Sequence, residues 1–409
     1  MTIANIRGGR MKIVVVSEFF YPYKTGTQKI LTELSEDFVE YGLEVDVLTT
    51  KNGCREEKQK LDKYETYKGI NIKRIFTTDG DRDSKYKRII SYVIFTWNVF
   101  INLLFKKDYD KILFVSNPPL VPYVGYIMKK IKKKEYIYLV HDIYPDVAEK
   151  LQVIKENSII SKAMNCINNK VYNNAQKIIA LGSDMKRVIV NKGIDKGKIE
   201  IVTNWADSKI TFENKVDDGF FMNSMMRNKF NIVYSGNISK VHDVDTILDV
   251  ARQLKDDEEI KFIFVGNGNR KDYIIEAKES QSLYNVEVYD YMYGEEYNNL
   301  LNSASVFITT LQKGIEGLGV PSKTYTYMSV AKPLIAIMNK DSEIGNMVSK
   351  YNLGRQFSSN ESSEIAEFIY NIKNNKLLYD EICSNVRTVF NSCYERKKVT
   401  RKFYNVITK

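Results

Sequence analysis

The chain has 409 residues, 44% hydrophobic and 27% charged, which is too long for one ordinary core and too apolar for a disordered protein. Its four cysteines, Cys54, Cys166, Cys383 and Cys393, form no CxxC pair, and with only two histidines the chain offers no structural zinc spacing and suits a reducing cytoplasm. The net charge of +10, from 61 basic and 51 acidic residues, gathers in KYKR at 85–88, KK at 106–107 and KKIKKK at 129–134. Such clustering points to a surface to be met, and no nucleic-acid-binding motif accompanies it.

The opening MTIANIRGGR lacks the apolar core of a signal peptide and is expected to form a disordered tail over 1–10, ahead of a second start at Met11. KIVVVSEFF predicts a strand, QKILTELSEDFVEYG a helix stopped by Gly42, and LEVDVLTT the next strand, so a βαβ unit opens the chain. Residues 89–105, IISYVIFTWNVFINLLF, carry no charge. Three readings stay open for them: a helix at a membrane surface, a core helix, or a short span. Further strands are predicted at INIKRIF, KILFVS, YIYLVHD and KIIALG, with helices at VPYVGYIMKKIKK and ISKAMNCINNKVYNNA. IEIVTNWAD closes this half, and the polar stretch over 206–229 reads as a linker. The alternation then starts afresh, with strands at NIVYSG, KFIFVG, VEVYDY, SVFITT and PLIAIM and helices at VDTILDVARQLK and GEEYNNLLNSA. The fold class expected is α/β, with two Rossmann-like doubly wound domains facing across a cleft and ligands bound beyond the carboxyl ends of the strands.

Candidate chemistry sits where strands end. YPYKTGTQ places Gly26 at a helix start, where free amides can approach an anion or a sugar hydroxyl. There is no GxGxxG after the first strand and no GxxxxGK[ST], which removes support for dehydrogenase and P-loop readings. YLVHDIYPD ends a strand in His141 and Asp142, groups able to contact a substrate hydroxyl or orient one another. In YSGNISKVHD, Gly236 and Asn237 follow a strand and Lys240 can neutralise a phosphate; the second histidine lies in the same loop. In EGLGVPSKTYTYMSVAKP, Glu316 can bind a sugar hydroxyl while Gly317 and Gly319 let the backbone come close. Pro321 is expected in the first helical turn, leaving the amides from Val320 to Lys323 aimed at a diphosphate, with the Lys323 charge added. Ser322 and Thr326, four apart, share a helix face.

Taken in order, SEFFYPYKTGTQ, LEVDVLTT, SNPPLVPYVGYIMKK, VHDIYPDVAEKL, YNNAQKIIALGSDMK, IEIVTNWAD, YSGNISKVHDVDTILDVA, FVGNG and GVPSKTYTYMSVAKPLIA resemble the retaining GT-B glycosyltransferases of family 4, in the branch that builds bacterial surface polysaccharides. The resemblance implies an acceptor-side domain over 11–205, a linker over 206–229, a donor-binding domain over 230–384, and a C-terminal helix over 385–409 that returns to the first domain. It implies a hexosyl- or N-acetylhexosaminyl-type transferase that uses a nucleotide-diphosphate sugar, a UDP-sugar, as substrate. No cofactor and no metal are expected. In the family's chemistry the departing diphosphate helps deprotonate the acceptor, so no protein nucleophile is required. Catalytic roles fall on His141, Asp142 and Lys323. Donor contacts fall on Gly236, Asn237, Lys240, Tyr291, Met292, Tyr293, Glu316, Gly319, Val320, Pro321, Ser322, Lys323 and Thr326, and acceptor-side contacts on Tyr23, Gly26, Thr27 and Asn117.

The chain also departs from the pattern. Many relatives carry two glutamates separated by seven residues. One register puts Leu318 and Thr326 at those positions, and the other puts Glu316 and Thr324 there. Asn237 stands where many relatives have arginine, Thr25 and Thr27 flank Gly26 where a glycine pair is usual, and Ala331 replaces a common glycine. The partners implied are a nucleotide-sugar donor, a lipid-linked or glycan acceptor and an anionic membrane surface, with the protein peripheral at the inner face of the cell membrane. A GT-B sugar-nucleotide 2-epimerase and a noncatalytic scaffold of a membrane transferase complex remain as alternatives.

Overall fold

The structure is a computed structural model that describes residues 9–23, 26–51, 61–78, 85–206, 209–210, 212–213 and 228–409. Most of the expected 1–10 tail and most of the expected 206–229 linker therefore lie outside the described residues. The chain divides into two compact units, one running to Thr203 and taking back Val399–Lys409, the other Asn204–Lys398.

The first unit is built on a sheet whose strands are β1 (Lys12–Val16), β2 (Glu44–Thr50), β3 (Tyr64–Tyr67), β4 (Ile70–Ile75), β5 (Lys111–Val115), β6 (Glu135–Val140), β7 (Lys177–Ala180) and β8 (Ile199–Ile201). Their spatial order is β3-β4-β2-β1-β5-β6-β7-β8. Every pairing is parallel except β3 with β4. The apolar runs KIVVV, KILFV and EYIYLV are buried almost throughout, as strands covered on both faces require. β3 was not expected. Its residues YETY alternate between exposed and half-buried with no apolar run, and Lys68 and Gly69, at φ 47 and 81, make the two-residue turn that pairs Tyr67 with Ile70.

Helices α1 (Gly26–Glu40), α2 (Lys85–Phe105), α3 (Pro122–Lys132), α4 (Asp146–Lys150), α5 (Ile159–Asn174) and α6 (Ser183–Asn191) link these strands. The carbonyl end of α2 is closed by a side chain from the next helix: Lys132 Nζ donates to Leu103 O, Leu104 O and Lys106 O at 3.3, 3.0 and 2.6 Å. A cation there satisfies orphan carbonyls and meets the negative end of the helix dipole. This narrows the reading of KKIKKK as a cluster that points to a surface to be met. Lys129 pairs with Glu135 at 2.9 Å, Lys134 donates to Tyr109 O, and Lys106 pairs with Asp46 at 2.6 Å, whereas Lys130, Lys133 and Lys107 are exposed.

The second unit holds β9 (Phe230–Ser235), β10 (Ile260–Val265), β11 (Val286–Tyr289), β12 (Val306–Thr310), β13 (Leu334–Ile337) and β14 (Gly354–Phe357) in the parallel order β11-β10-β9-β12-β13-β14. Helices α7 (Val244–Gln253), α8 (Lys271–Ser280), α9 (Gly294–Ser303), α10 (Lys323–Ser329), α11 (Glu343–Lys350), α12 (Ser362–Asn374) and α13 (Lys376–Val389) surround it. The stretch expected as one returning helix over 385–409 is broken. α13 ends at Val389, a π turn covers Phe390–Tyr394, and α14 (Arg396–Thr408) follows. Only Val399 onward belongs to the first unit, where Thr400 Oγ1 donates to the buried Asp37 at 2.8 Å and Lys111 Nζ donates to Ile407 O at 2.8 Å.

Two glycines let the strand-end loops of the second unit nest. Gly266, at φ 145, has no room for a Cβ, which would lie 1.9 Å from Gly236 O. Gly268, at φ 154, approaches Ile238 O in the same way. Gly266→Ala is expected to destabilise the protein by at least about 2 kcal/mol, from strain and displaced backbone together. Urea unfolding followed by fluorescence checks this.

Candidate active site

Each sheet reverses its strand order once, between β1 and β5 in the first unit and between β9 and β12 in the second. Loops that leave the carboxyl ends of such neighbouring strands diverge and open a crevice, the usual ligand position in open α/β sheets.

In the second unit the crevice is occupied by Lys323. Its Nζ is buried, lacks a hydrogen-bond partner among the described residues, and lies 3.4 Å from the centroid of the Tyr234 ring. The helix holding it is fixed one turn later. Tyr327 is fully buried, stacks on Phe307 with ring centroids 4.2 Å apart, and through its hydroxyl accepts from Ser235 N and donates to Ser235 O, both at 2.8 Å. Residues 323 and 327 share a helix face, so tying Tyr327 to Ser235 sets Lys323 over the preceding strand residue, Tyr234. Gly236 closes this arrangement: a Cβ on it would sit 3.7 Å from Lys323 Cδ.

Burial holds the Lys323 ammonium well below the ordinary lysine pKa. The buried His242 stands close to it. Burial first, and the Lys323 charge second, push this imidazole down to about 3, so it is neutral at physiological pH. His242 Nδ1 lies 2.9 Å from Thr310 O, and Gln312 N donates to Val241 O at 2.8 Å, so the loops after β9 and β12 are stitched together. Sequence reasoning placed Lys323 but left Tyr234, His242 and Tyr327 without a role. The one available signal was the strand NIVYSG, which puts Tyr234 two residues before the glycine.

Other predicted donor residues divide. Asn237 and Lys240 are exposed on the loop after β9, as are Tyr291 and Tyr293 after β11, whose rings lie 6.2 Å apart; Met292 between them is buried. Glu316 braces its own loop, with one carboxylate oxygen accepting from Gly314 N at 2.6 Å and the other from Asn339 N at 3.3 Å. Gly319 bridges back to Glu316, and Val320 is half-buried. The helix starts at Lys323, with Ser322 as its N-cap, and not at Pro321. Pro321 is buried and its carbonyl accepts from Thr324 N at 3.2 Å, while Ser322 O accepts from Tyr325 N at 3.2 Å. These bonds use the amides of Thr324 and Tyr325, which lie outside the expected cradle over 320–323. The two registers for the helix glutamate are also separated: Thr324 is fully buried with its hydroxyl 3.0 Å from Thr309 Oγ1, whereas Thr326 is half-buried beside the half-buried Ser322.

In the first unit, Ser116 at the end of β5 is fully buried, and its Oγ accepts from His141 N and Asp142 N, both at 3.0 Å. One hydroxyl thus fixes the turn that presents the two predicted catalytic residues. Burial lowers the His141 imidazole to about 4 and raises the Asp142 carboxyl to about 6. His141 Nε2 is buried without a hydrogen-bond partner. Tyr144, three residues after His141, is in electrostatic contact with Asp142, with Tyr92 and Arg88 of α2, and with Glu18 after β1. Of the predicted acceptor-side residues, Tyr23 is buried, Gly26 and Thr27 open α1 with Gly26 at φ 57, and Asn117 is exposed after β5. Thr25, beside Gly26, lies outside the described residues. Among the described residues no three His, Cys, Asp or Glu side chains gather into a set that would hold a metal ion.

Comparison with known proteins fits this geometry. The family profile "Glycosyltransferase Family 4" matches residues 25–209, and "Glycosyl transferases group 1" matches residues 221–389. The chain belongs to the GT-B glycosyltransferases of family 4. Among its relatives is "Probable glycosyltransferase WbjE" of Pseudomonas aeruginosa, 27% identical over 275 residues, which are 67% of this chain and 66%, just under two thirds, of that protein. Escherichia coli WcaI, named for colanic acid biosynthesis, is 20% identical over 82% of this chain and 86% of its own. A sucrose-phosphate synthase from Thermosynechococcus elongatus shares the fold, with a TM-score of 0.75 at 14% identity over 98% of both chains. Anabaena HepE, solved with UDP and glucose, gives 0.71 at 14% identity over 98% of this chain and all of that one.

The opposed shifts of His141 and Asp142 set a pH test. Between pH 6.5 and about 4 the unfolded chain binds a proton at position 141 that the fold refuses, so this histidine's contribution to stability is lost on acidification. Between about 6 and 3.8 the fold protonates Asp142 before the unfolded chain does, so that contribution grows on acidification. Asp142→Asn is expected to lose stability more steeply than wild type as pH falls from about 6.5 to 4.5, and His141→Gln less steeply. Urea midpoints across that range measure both slopes.

Proposed function

We propose that this family 4 enzyme transfers a hexosyl or N-acetylhexosaminyl unit from a uridine-diphosphate sugar to a hydroxyl of a lipid-linked or glycan acceptor in bacterial surface polysaccharide synthesis, with retained anomeric configuration. The observation that carries the reading is the buried, unpartnered Lys323 ammonium at the strand-order reversal of the second unit. A diphosphate would satisfy it where nothing among the described residues does. When the bond from the anomeric carbon to the diphosphate oxygen breaks, negative charge develops on the leaving group, and a fixed ammonium out of bulk water stabilises that charge without reorganising. The acceptor oxygen bonds to the anomeric carbon on the same face, and its proton passes to the departing diphosphate. Neutral His242 behind Lys323 leaves the lysine as the cation that meets the phosphates.

His141 is assigned to a hydroxyl of the donor sugar. Its Nε2, the orphan of that loop, would find its partner there. Thr326 and Ser322 are assigned to the ribose in place of the family's glutamate, and Tyr291 and Tyr293 to the base. Support for a uridine nucleotide comes from the fold shared with Anabaena HepE, which was solved with UDP.

Lys323→Met is expected to weaken UDP binding by 10- to 100-fold, about 1.5–3 kcal/mol for a buried charge-assisted contact, with thermal stability kept or raised. Calorimetric titration reads the affinity; unchanged UDP affinity would remove the donor site from this crevice. Thr326→Ala is expected to lower UDP affinity without loss of stability, while Thr324→Val costs about 1 kcal/mol of stability and leaves UDP affinity within about twofold. Titration and denaturant unfolding of both variants decide the register.

A further inference from the structure

We propose that α2 is an interfacial membrane-docking helix, lying flat in the headgroup region of an anionic bilayer on the stripe formed by Tyr86, Ile90, Val93 and Trp97. The 20-residue segment Tyr86–Phe105 is long and apolar enough to cross a membrane by length and composition alone. Its surroundings argue for another placement. Phe95, Val99 and Leu103 are fully buried in the first unit, Ser91 Oγ lies 2.9 Å from Thr77 Oγ1, and Asn98 Nδ2 donates to Phe76 O at 2.9 Å. With Lys132 on its last carbonyls, the helix is tied down along one face and at one end. A spanning helix would have to forfeit all of these contacts.

The opposite face is the unusual one. Tyr86 is 82% exposed, Ile90 53%, Val93 51% and Trp97 62%, at spacings of four, three and four that align them on one side of a helix. Ile89 beside them and Phe105 at the far end are exposed as well. No acidic residue occurs from Lys85 to Phe105. Lys87 stands exposed near one end and Lys107 near the other, with Lys130 exposed on α3, which packs against α2, and Lys133 exposed just after it. An apolar stripe with an exposed Tyr and Trp, accompanied by these four exposed lysines in a chain of net charge +10, is complementary to an anionic lipid surface. The placement has a consequence for the first unit's site. Arg88 and Tyr92 on the buried side of α2 are in electrostatic contact with Tyr144, in the loop of His141 and Asp142, so docking on α2 holds that loop at the lipid surface.

The protein carries its own probe, since of its two tryptophans Trp97 is on the stripe and Trp205 is 2% exposed. On vesicles of phosphatidylglycerol and phosphatidylethanolamine, Trp97 fluorescence is expected to shift to the blue and to be quenched by bromines near the headgroups more than by bromines near the chain ends. Ile90→Asp/Val93→Asp, two exposed positions, is expected to lower vesicle binding at least tenfold with unfolding temperature unchanged. Lys130→Gln/Lys133→Gln is expected to lower it about fivefold per charge at low salt. Emission unchanged by these vesicles, or full binding by the aspartate variant, overturns the proposal. So does strongest quenching from the chain ends, which means a span, or a concentration-dependent dimer abolished by the aspartates, which means a second copy. Because binding is read without donor, its failure would leave the transfer reading intact.

Discussion

An ammonium group held out of water against the face of a tyrosine is the constraint around which the second unit is arranged. Among the described residues Lys323 has no hydrogen-bond partner at Nζ, so the fold bears its desolvation with the Tyr234 ring in return. That position persists because the neighbours leave α10 no freedom. The Tyr327 hydroxyl is bonded to both backbone groups of Ser235, and its ring is stacked on Phe307. The loops that frame the lysine are equally committed, Gly266 pressing on Gly236 and the β9 loop bonded to the β12 loop through His242 and Gln312. A site so pre-organised meets developing charge on a leaving phosphate without further movement.

The first unit solves a different problem. There a buried serine hydroxyl gathers the amides of His141 and Asp142 and sets the imidazole and carboxyl in surroundings that disfavour both charged forms. A neutral imidazole can donate to a hydroxyl or accept from one, which suits sugar recognition better than anion binding. In the function proposed, the two units divide the chemistry, with charge neutralisation assigned to one and hydroxyl recognition to the other.

Much of this was legible in the sequence because the central strands are uninterrupted apolar runs and the chemistry lies in the loops that follow them. KIVVV, IKFIFV and VFITT name themselves as buried strands, and YLVHDIYPD and EGLGVPSK stand at strand ends. The edge strands YETY and GRQF did not, since an edge needs no apolar run and β3 depends on a Lys-Gly turn. Partners across the sheet were hidden for another reason. Tyr234 and His242 lie 89 and 81 positions from Lys323, and only the order β9-β12 brings them together. The rotation of a seven-residue helix buries Thr324 and leaves Thr326 half-buried, and no periodicity in so short a segment could have told them apart. KKIKKK misled because charge in a sequence does not say whether a lysine faces water or a helix end, and Lys132 faces the end of α2.

The central claim, that Lys323 is the anion's partner, has a direct thermodynamic signature. A lysine whose pKa is depressed while unpartnered regains an ordinary or higher value beside a diphosphate, so binding must draw a proton from solution wherever the free amine is partly neutral. UDP titration by calorimetry in buffers of different ionisation enthalpy measures that uptake. The account predicts net proton uptake on binding at alkaline pH that disappears in Lys323→Met. UDP binding with no proton uptake at any alkaline pH, or with uptake that survives in Lys323→Met, would contradict it.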